Sequence, residues 1–99
     1  MNTHRLQGNI LTPQGWVFGD LHFNARLVRV SGAPADPAHN DAPCILPGFI
    51  DLHVHGGGGH DVMQGGDAAH TIARTHTRHG TTSWLATTMT APPDEIEQA

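Results

Sequence analysis

The polar and apolar positions change rhythm along the chain. From Leu6 to Ser31 they form short β-like runs, Leu6 to Leu11, Gln14 to Phe18 after Pro13, Asp20 to Asn24, and Ala25 to Ser31. Tight-turn residues separate them, which predicts a small β unit. Leu27, Val28 and Val30 supply the apolar positions of the last run, and Arg26 and Arg29 interrupt it rather than alternate strictly. Residues 32–43 hold three prolines and no periodicity, the composition of a surface loop. A different pattern follows Pro47-Gly48: a strand from Phe49 to Val54, then glycines at 56–59 and 65–66. A helix is signalled by Asp67 as N-cap and Gly80 as stop, with Ala69, Ile72, Ala73 and His76 on one face and Arg74 and Arg78 on the other. Thr81 to Met89 reads as a second strand, and Pro92-Pro93-Asp94-Glu95 as the first turn of another helix. Strand, helix, strand and helix start are the order of parallel βα units.

Charge and composition narrow the function. The net charge is −4, with five Lys and Arg and no basic stretch, which argues against nucleic-acid or membrane-surface binding and favours a small-molecule substrate. Cys44 is the single cysteine, so no internal disulfide can form, and no apolar N-terminal stretch reads as a signal or membrane span. A reducing cytoplasm is the expected compartment. Nine histidines direct attention to metal chemistry, because imidazole binds divalent ions near neutral pH.

The chemistry concentrates in Asp51-Leu52-His53-Val54-His55. On a strand, side chains alternate, so Asp51, His53 and His55 share a polar face while Ile50, Leu52 and Val54 share an apolar one. Residues two apart on a strand are roughly 6 to 7 Å apart at Cα, close enough for two imidazoles to reach one cation. Neutral imidazole suits zinc, iron or related divalent ions. His53 and His55 are therefore the candidate metal ligands. The competing reading of such a pair is two surface or hydrogen-bonded histidines, and the preceding Pro-Gly, the aliphatic strand and the trailing glycines favour the metal.

The segment LPGFIDLHVHGGGG resembles the first barrel strand of the amidohydrolase superfamily. Together with HGTTSWLATTMT at residues 79–90 it resembles the N-acetylglucosamine-6-phosphate deacetylase family in particular, and the β-rich start resembles the small β-sandwich flanking that barrel. The resemblance implies an α/β protein: part of a β-sandwich over residues 1–46, then the first two βα units of a TIM-type barrel over residues 47–99. It implies hydrolysis of N-acetylglucosamine 6-phosphate to glucosamine 6-phosphate and acetate, one or two divalent ions with zinc or iron favoured, and a homo-oligomer at full length. Since a complete barrel takes roughly 250 residues, the chain is expected to be the start of a larger enzyme and inactive alone. The family's bridging acidic ligand, later histidines and catalytic aspartate fall on later strands, so no catalytic residue is assigned within these residues.

Other positions divide between roles. The glycines at 56–59 serve either a close backbone approach to a sugar phosphate, or a lid, or a flexible turn leaving the strand. Asp51 either orients a ligand histidine or is a buried structural carboxylate, and stays unassigned. His60 and Asp61 read as solvated loop residues, and His70, His76 and His79 as packed or surface residues of the helix. His4, His22 and His39 carry no pattern, and Thr81, Thr82, Thr87 and Thr88 read as β-branched strand formers. Three other functions compete: another amidohydrolase, dihydroorotase-like or deaminase-like; an esterase using His55-Gly56-Gly57-Gly58 as its oxyanion hole; and a non-catalytic histidine-rich metal-binding module. The esterase lacks any G-x-S-x-G and leaves Asp51 and His53 unexplained.

Overall fold

Pro13 and Gln14 turn the chain back on itself. In the computed structural model, which describes residues 2–99, β1 (His4–Thr12) and β2 (Gly15–Phe23) pair antiparallel from Thr12 opposite Gly15 to His4 opposite Phe23. The Thr12 hydroxyl ties the turn, donating to the Gly15 carbonyl at 2.7 Å and accepting the Gln14 N–H at 3.3 Å. β3 (Leu27–Pro34) adds to the other edge of β2 after an Asn24 turn, in which the Asn24 side chain accepts the Arg26 N–H at 3.0 Å.

Two expected strands, Gln14 to Phe18 and Asp20 to Asn24, are thus one. Gly19 sits inside the strand, opposite Gly8 on one side and Gly32 on the other. A Cβ at Gly19 would run into the Ser31 carbonyl oxygen and the Gly32 Cα, and one at Gly8 into the Pro43 carbonyl oxygen. The glycine reads as a break in sequence because it lacks a side chain; in the sheet that same lack admits the neighbouring backbone. The expected strand Ala25 to Ser31 also shifts, since Asn24 to Arg26 form the turn and pairing continues to Pro34.

Residues 32–43 hold more order than a plain loop. β3 occupies their start, and Asp36 caps a 3₁₀ turn at Pro37–His39 by accepting the Ala38 N–H at 2.9 Å. β4 (Cys44–Ile45) then lies parallel to β1, giving the order β3-β2-β1-β4. Asn9 is fully buried beside Ile10. Its amide donates to the Asn40 side chain at 2.8 Å and the Ala42 carbonyl at 3.1 Å, and accepts from Asn40 at 3.0 Å. That closed network fastens the loop to β1. Asn9→Leu leaves the Asn40 amide and Ala42 carbonyl without their partner, and is expected to lower unfolding free energy by about 2 kcal/mol in denaturant titration. The described residues of this unit form one four-stranded sheet; a second sheet layer of a sandwich is not among them.

The division between units falls at Pro47, the second spanning Gly48–Ala99. Its order is β5 (Phe49–Val54), a hairpin of β6 (Gly56–Gly57) and β7 (His60–Asp61), a 3₁₀ turn at Val62–Gln64, α1 (Ala68–Thr77), β8 (Thr81–Ala86) and α2 (Pro93–Gln98). β5 and β8 pair in parallel with α1 between them in sequence. This is the α/β alternation that the patterning predicts; the described strands form a two-stranded parallel sheet, and no closed barrel is present among them.

Asp67 takes the N-cap position of α1, though its side chain makes no capping hydrogen bond. Gly80, at φ +96°, follows the helix and leads straight into β8, a conformation that disfavours any other residue. The buried face is centred on Ala68 and Ile72, which pack with Val62 and Trp84. Ala69, expected on that face, is exposed. The helix begins at residue 68, and i to i+4 spacing places residue 68 above residue 72. No helix among the described residues is long and apolar enough to cross a membrane.

Candidate metal centre

At the C-terminal end of β5 the ladder slips. Asp51 pairs with Trp84 and Val54 with Ala86, so three steps on β5 match two on β8. This extra residue is a bulge, the device by which strands re-aim side chains. The His53 N–H turns to the Asp51 carboxylate, which accepts it at 3.1 Å. Asp51 therefore shapes the backbone of the bulge, and its carboxylate bonds to main chain rather than to an imidazole.

Beyond the bulge the two rings meet. The Nε2 atoms of His53 and His55 lie 3.2 Å apart, with ring centroids at 4.8 Å and planes at 85°. Two nitrogens each about 2.0–2.1 Å from one tetrahedral zinc are about 3.3–3.4 Å apart, so the observed spacing fits two ligands of a single ion. His55 is half-buried and held; His53 is exposed. The His55 Nδ1–H donates to the Thr87 carbonyl at 2.8 Å, and the His55 carbonyl accepts the Val62 N–H at 2.7 Å. A carbonyl cannot donate, so His55 carries its proton on Nδ1 and in the neutral ring presents the Nε2 lone pair. This is the hydrogen bond that metal-ligating histidines characteristically make with their second nitrogen. Among the described residues no group of three or more His, Cys, Asp or Glu forms around one point, so these two imidazoles have no third such donor beside them there.

Thr87 is the residue that strand patterning mislabels. It lies past the end of β8 and clamps β5: its N–H donates to the Val54 carbonyl at 3.1 Å, and its hydroxyl accepts the Val54 N–H at 3.3 Å and donates to Leu85 at 3.0 Å. The available signal was position, since functional groups in parallel βα folds gather just beyond the C-terminal ends of strands. Thr81 and Thr82 do lie within β8, whereas Thr88, like Thr87, lies outside it.

The remaining histidines stand apart. His76 Nε2 donates to the Gly56 carbonyl at 2.9 Å, and Gly57 has no room for a Cβ against the His76 ring. The glycine hairpin is thereby seated on α1, with Gly58 and Gly59 at φ +62° and +80° forming its tip. His60 contacts Gln64, and Asp61 caps the next turn by accepting the Met63 N–H, both local structural roles. His79 Nδ1 donates to the Thr75 carbonyl at 3.0 Å, and His70 is exposed. In the first unit His22 lies beside Arg29, His39 beside Asp36, and His4 against Phe23. Cys44 is free and exposed.

Comparison with known proteins gives relatives of one kind. The chain is 37% identical over 103 residues to an N-acetylgalactosamine-6-phosphate deacetylase of Escherichia coli O157:H7, covering 98% of this chain and 27% of the relative. It is 43% identical over 68 residues to an N-acetylglucosamine-6-phosphate deacetylase of Bacillus subtilis (strain 168), covering 68% of this chain and 16% of the relative. The Homo sapiens protein of that second name is 39% identical over 99 residues, covering 88% of this chain and 23% of the relative. The chain spans about a quarter, or less, of the length of these curated relatives. No family model matches it. No solved structure matches it either. The resemblance carried by LPGFIDLHVHGGGG and HGTTSWLATTMT is thus a real sequence likeness to the amino-sugar-phosphate deacetylases.

Proposed function

We propose that this chain supplies two ligands to the divalent metal site of an amino-sugar-phosphate deacetylase, an enzyme that hydrolyses the acetamide of N-acetylglucosamine 6-phosphate to the amine and acetate. The observation that carries the reading is the convergence of His53 Nε2 and His55 Nε2 to 3.2 Å, with His55 anchored through its other ring nitrogen. The relatives' names supply the substrate class. Zinc or iron suits the imidazole donors, and what such an ion supplies when bound is Lewis acidity toward an amide carbonyl and toward water.

The chain's own residues bind and orient. His53 and His55 donate Nε2, the Thr87 carbonyl holds the His55 ring, and the bulge closed by Asp51 sets the backbone from which both rings project. The strand–helix–strand unit is read as the opening of a TIM-type barrel and the four-stranded sheet as one layer of a flanking sandwich, in a cytoplasmic enzyme that assembles as a homo-oligomer. The isolated chain is expected to be inactive.

The E. coli relative, which aligns over 98% of this chain, is named for the galactosamine epimer, and this favours a second substrate reading. The test is acetate release from both N-acetylhexosamine 6-phosphates by the protein with its downstream coding sequence. Activity on at least one is expected, with a fall of at least about a hundredfold on chelation and recovery on adding zinc or iron(II). Hydrolysis indifferent to chelator would remove the metal mechanism, and no acetate from either sugar would remove the substrate.

A further inference from the structure

We infer that Thr87 is the positioning residue of the histidine pair, its main-chain carbonyl selecting the His55 tautomer and its hydroxyl keeping that carbonyl in place. This rests on the reading of His53 and His55 as metal ligands, and adds to it a residue that acts through His55.

The two histidines are not equivalent. His55 is committed to Nδ1–H by the 2.8 Å hydrogen bond to the Thr87 carbonyl, so its Nε2 offers a lone pair without rearrangement. His53 has no such partner: among the described residues its ring nitrogens make one hydrogen bond, the 3.2 Å contact to His55 Nε2. With His55 an acceptor there, a neutral His53 is the donor, and to turn an Nε2 lone pair toward a cation it takes the other tautomer, gaining a proton at Nδ1 from solvent as the Nε2 proton leaves to solvent. One ligand is preset and the other rearranges.

What presets His55 is a clamp built by a single residue. The Thr87 N–H reaches the Val54 carbonyl at 3.1 Å, its hydroxyl takes the Val54 N–H at 3.3 Å, and that hydroxyl donates onward to the Leu85 carbonyl at 3.0 Å. Three hydrogen bonds therefore locate residue 87 against the residue immediately before His55 and against the end of β8. Two of them need a hydroxyl. Valine has the same β-branched shape but cannot make them; serine can.

The experiment compares wild type, Thr87→Val and Thr87→Ser in the protein with its downstream sequence, by zinc affinity in chelator competition and by ¹⁵N chemical shifts of the His55 ring in the metal-free protein, assigned with His55→Gln. Wild type is expected to show the Nδ1–H tautomer. Thr87→Val is expected to bind zinc about tenfold more weakly and to shift His55 toward a mixture of tautomers, and Thr87→Ser to restore both. A Thr87→Val protein with wild-type zinc affinity and an unshifted His55 tautomer would overturn the inference, as would loss of thermal stability alone. If wild type takes up no zinc, the ligand reading falls, and the metal-free tautomer comparison still decides the role of Thr87.

Discussion

Replacing His55 by alanine is expected to reduce zinc affinity and acetate release by at least about a hundredfold, since removing only the outer partners of metal ligands already costs about 10–100-fold. The loss has two parts. One imidazole donor disappears, and His53 loses the Nε2 neighbour 3.2 Å away that orients its ring. His53→Ala is expected to fall in the same range, because the ion loses an equal donor, while leaving the His55–Thr87 hydrogen bond intact. His60→Ala serves as control: the ring is exposed and, among the described residues, bonds only to Gln64, so both readouts should match wild type. Equal metal binding in wild type and His55→Ala would dispose of the proposed centre.

The second large effect is on stability and lies in the first unit. Gly19→Ala is expected to lower unfolding free energy by about 3 kcal/mol, at the upper end of the cost of forcing extra atoms into packed space. The obstruction is the Ser31 carbonyl and the Gly32 Cα, backbone atoms in paired strand, so no side-chain rotation can relieve it. Gly15→Ala meets no atom within contact range, and its cost is confined to the positive φ of +116° at the hairpin turn. A denaturant midpoint that falls more for Gly15→Ala than for Gly19→Ala would contradict this account of the glycine row.

The strand at Phe49–Val54 and the helix ending before Gly80 are legible from the chain because each depends on local patterning: β-branched and aliphatic residues after Pro-Gly, a 3.6-residue rhythm, and a stop residue. The strands of the first unit are less legible. Gly19 followed by Asp20 looks like a turn, and only a neighbouring strand pressed against it shows why a glycine is there. Asn9 looks like an ordinary polar residue of an exposed strand until Asn40 and Ala42, more than thirty positions later, close over it. Ala68 and Ala69 lie four and three residues before Ile72, so helical spacing offers both to its face, and only the packing with Val62 and Trp84 shows that Ala68 is the one buried.

Which residues could do chemistry is legible in the chain: two imidazoles one residue apart on an extended aliphatic segment are expected on one side by strand alternation, and they lie in a stretch shared with the deacetylases. How those imidazoles are held depends on contacts between distant segments. The bulge between Asp51 and Val54 arises from pairing with β8, and the His55 tautomer from a carbonyl thirty-two residues away. Hydrogen bonds between distant segments leave no periodic trace in a chain, so Thr87 looked like one more β-branched residue until β5 and β8 were side by side.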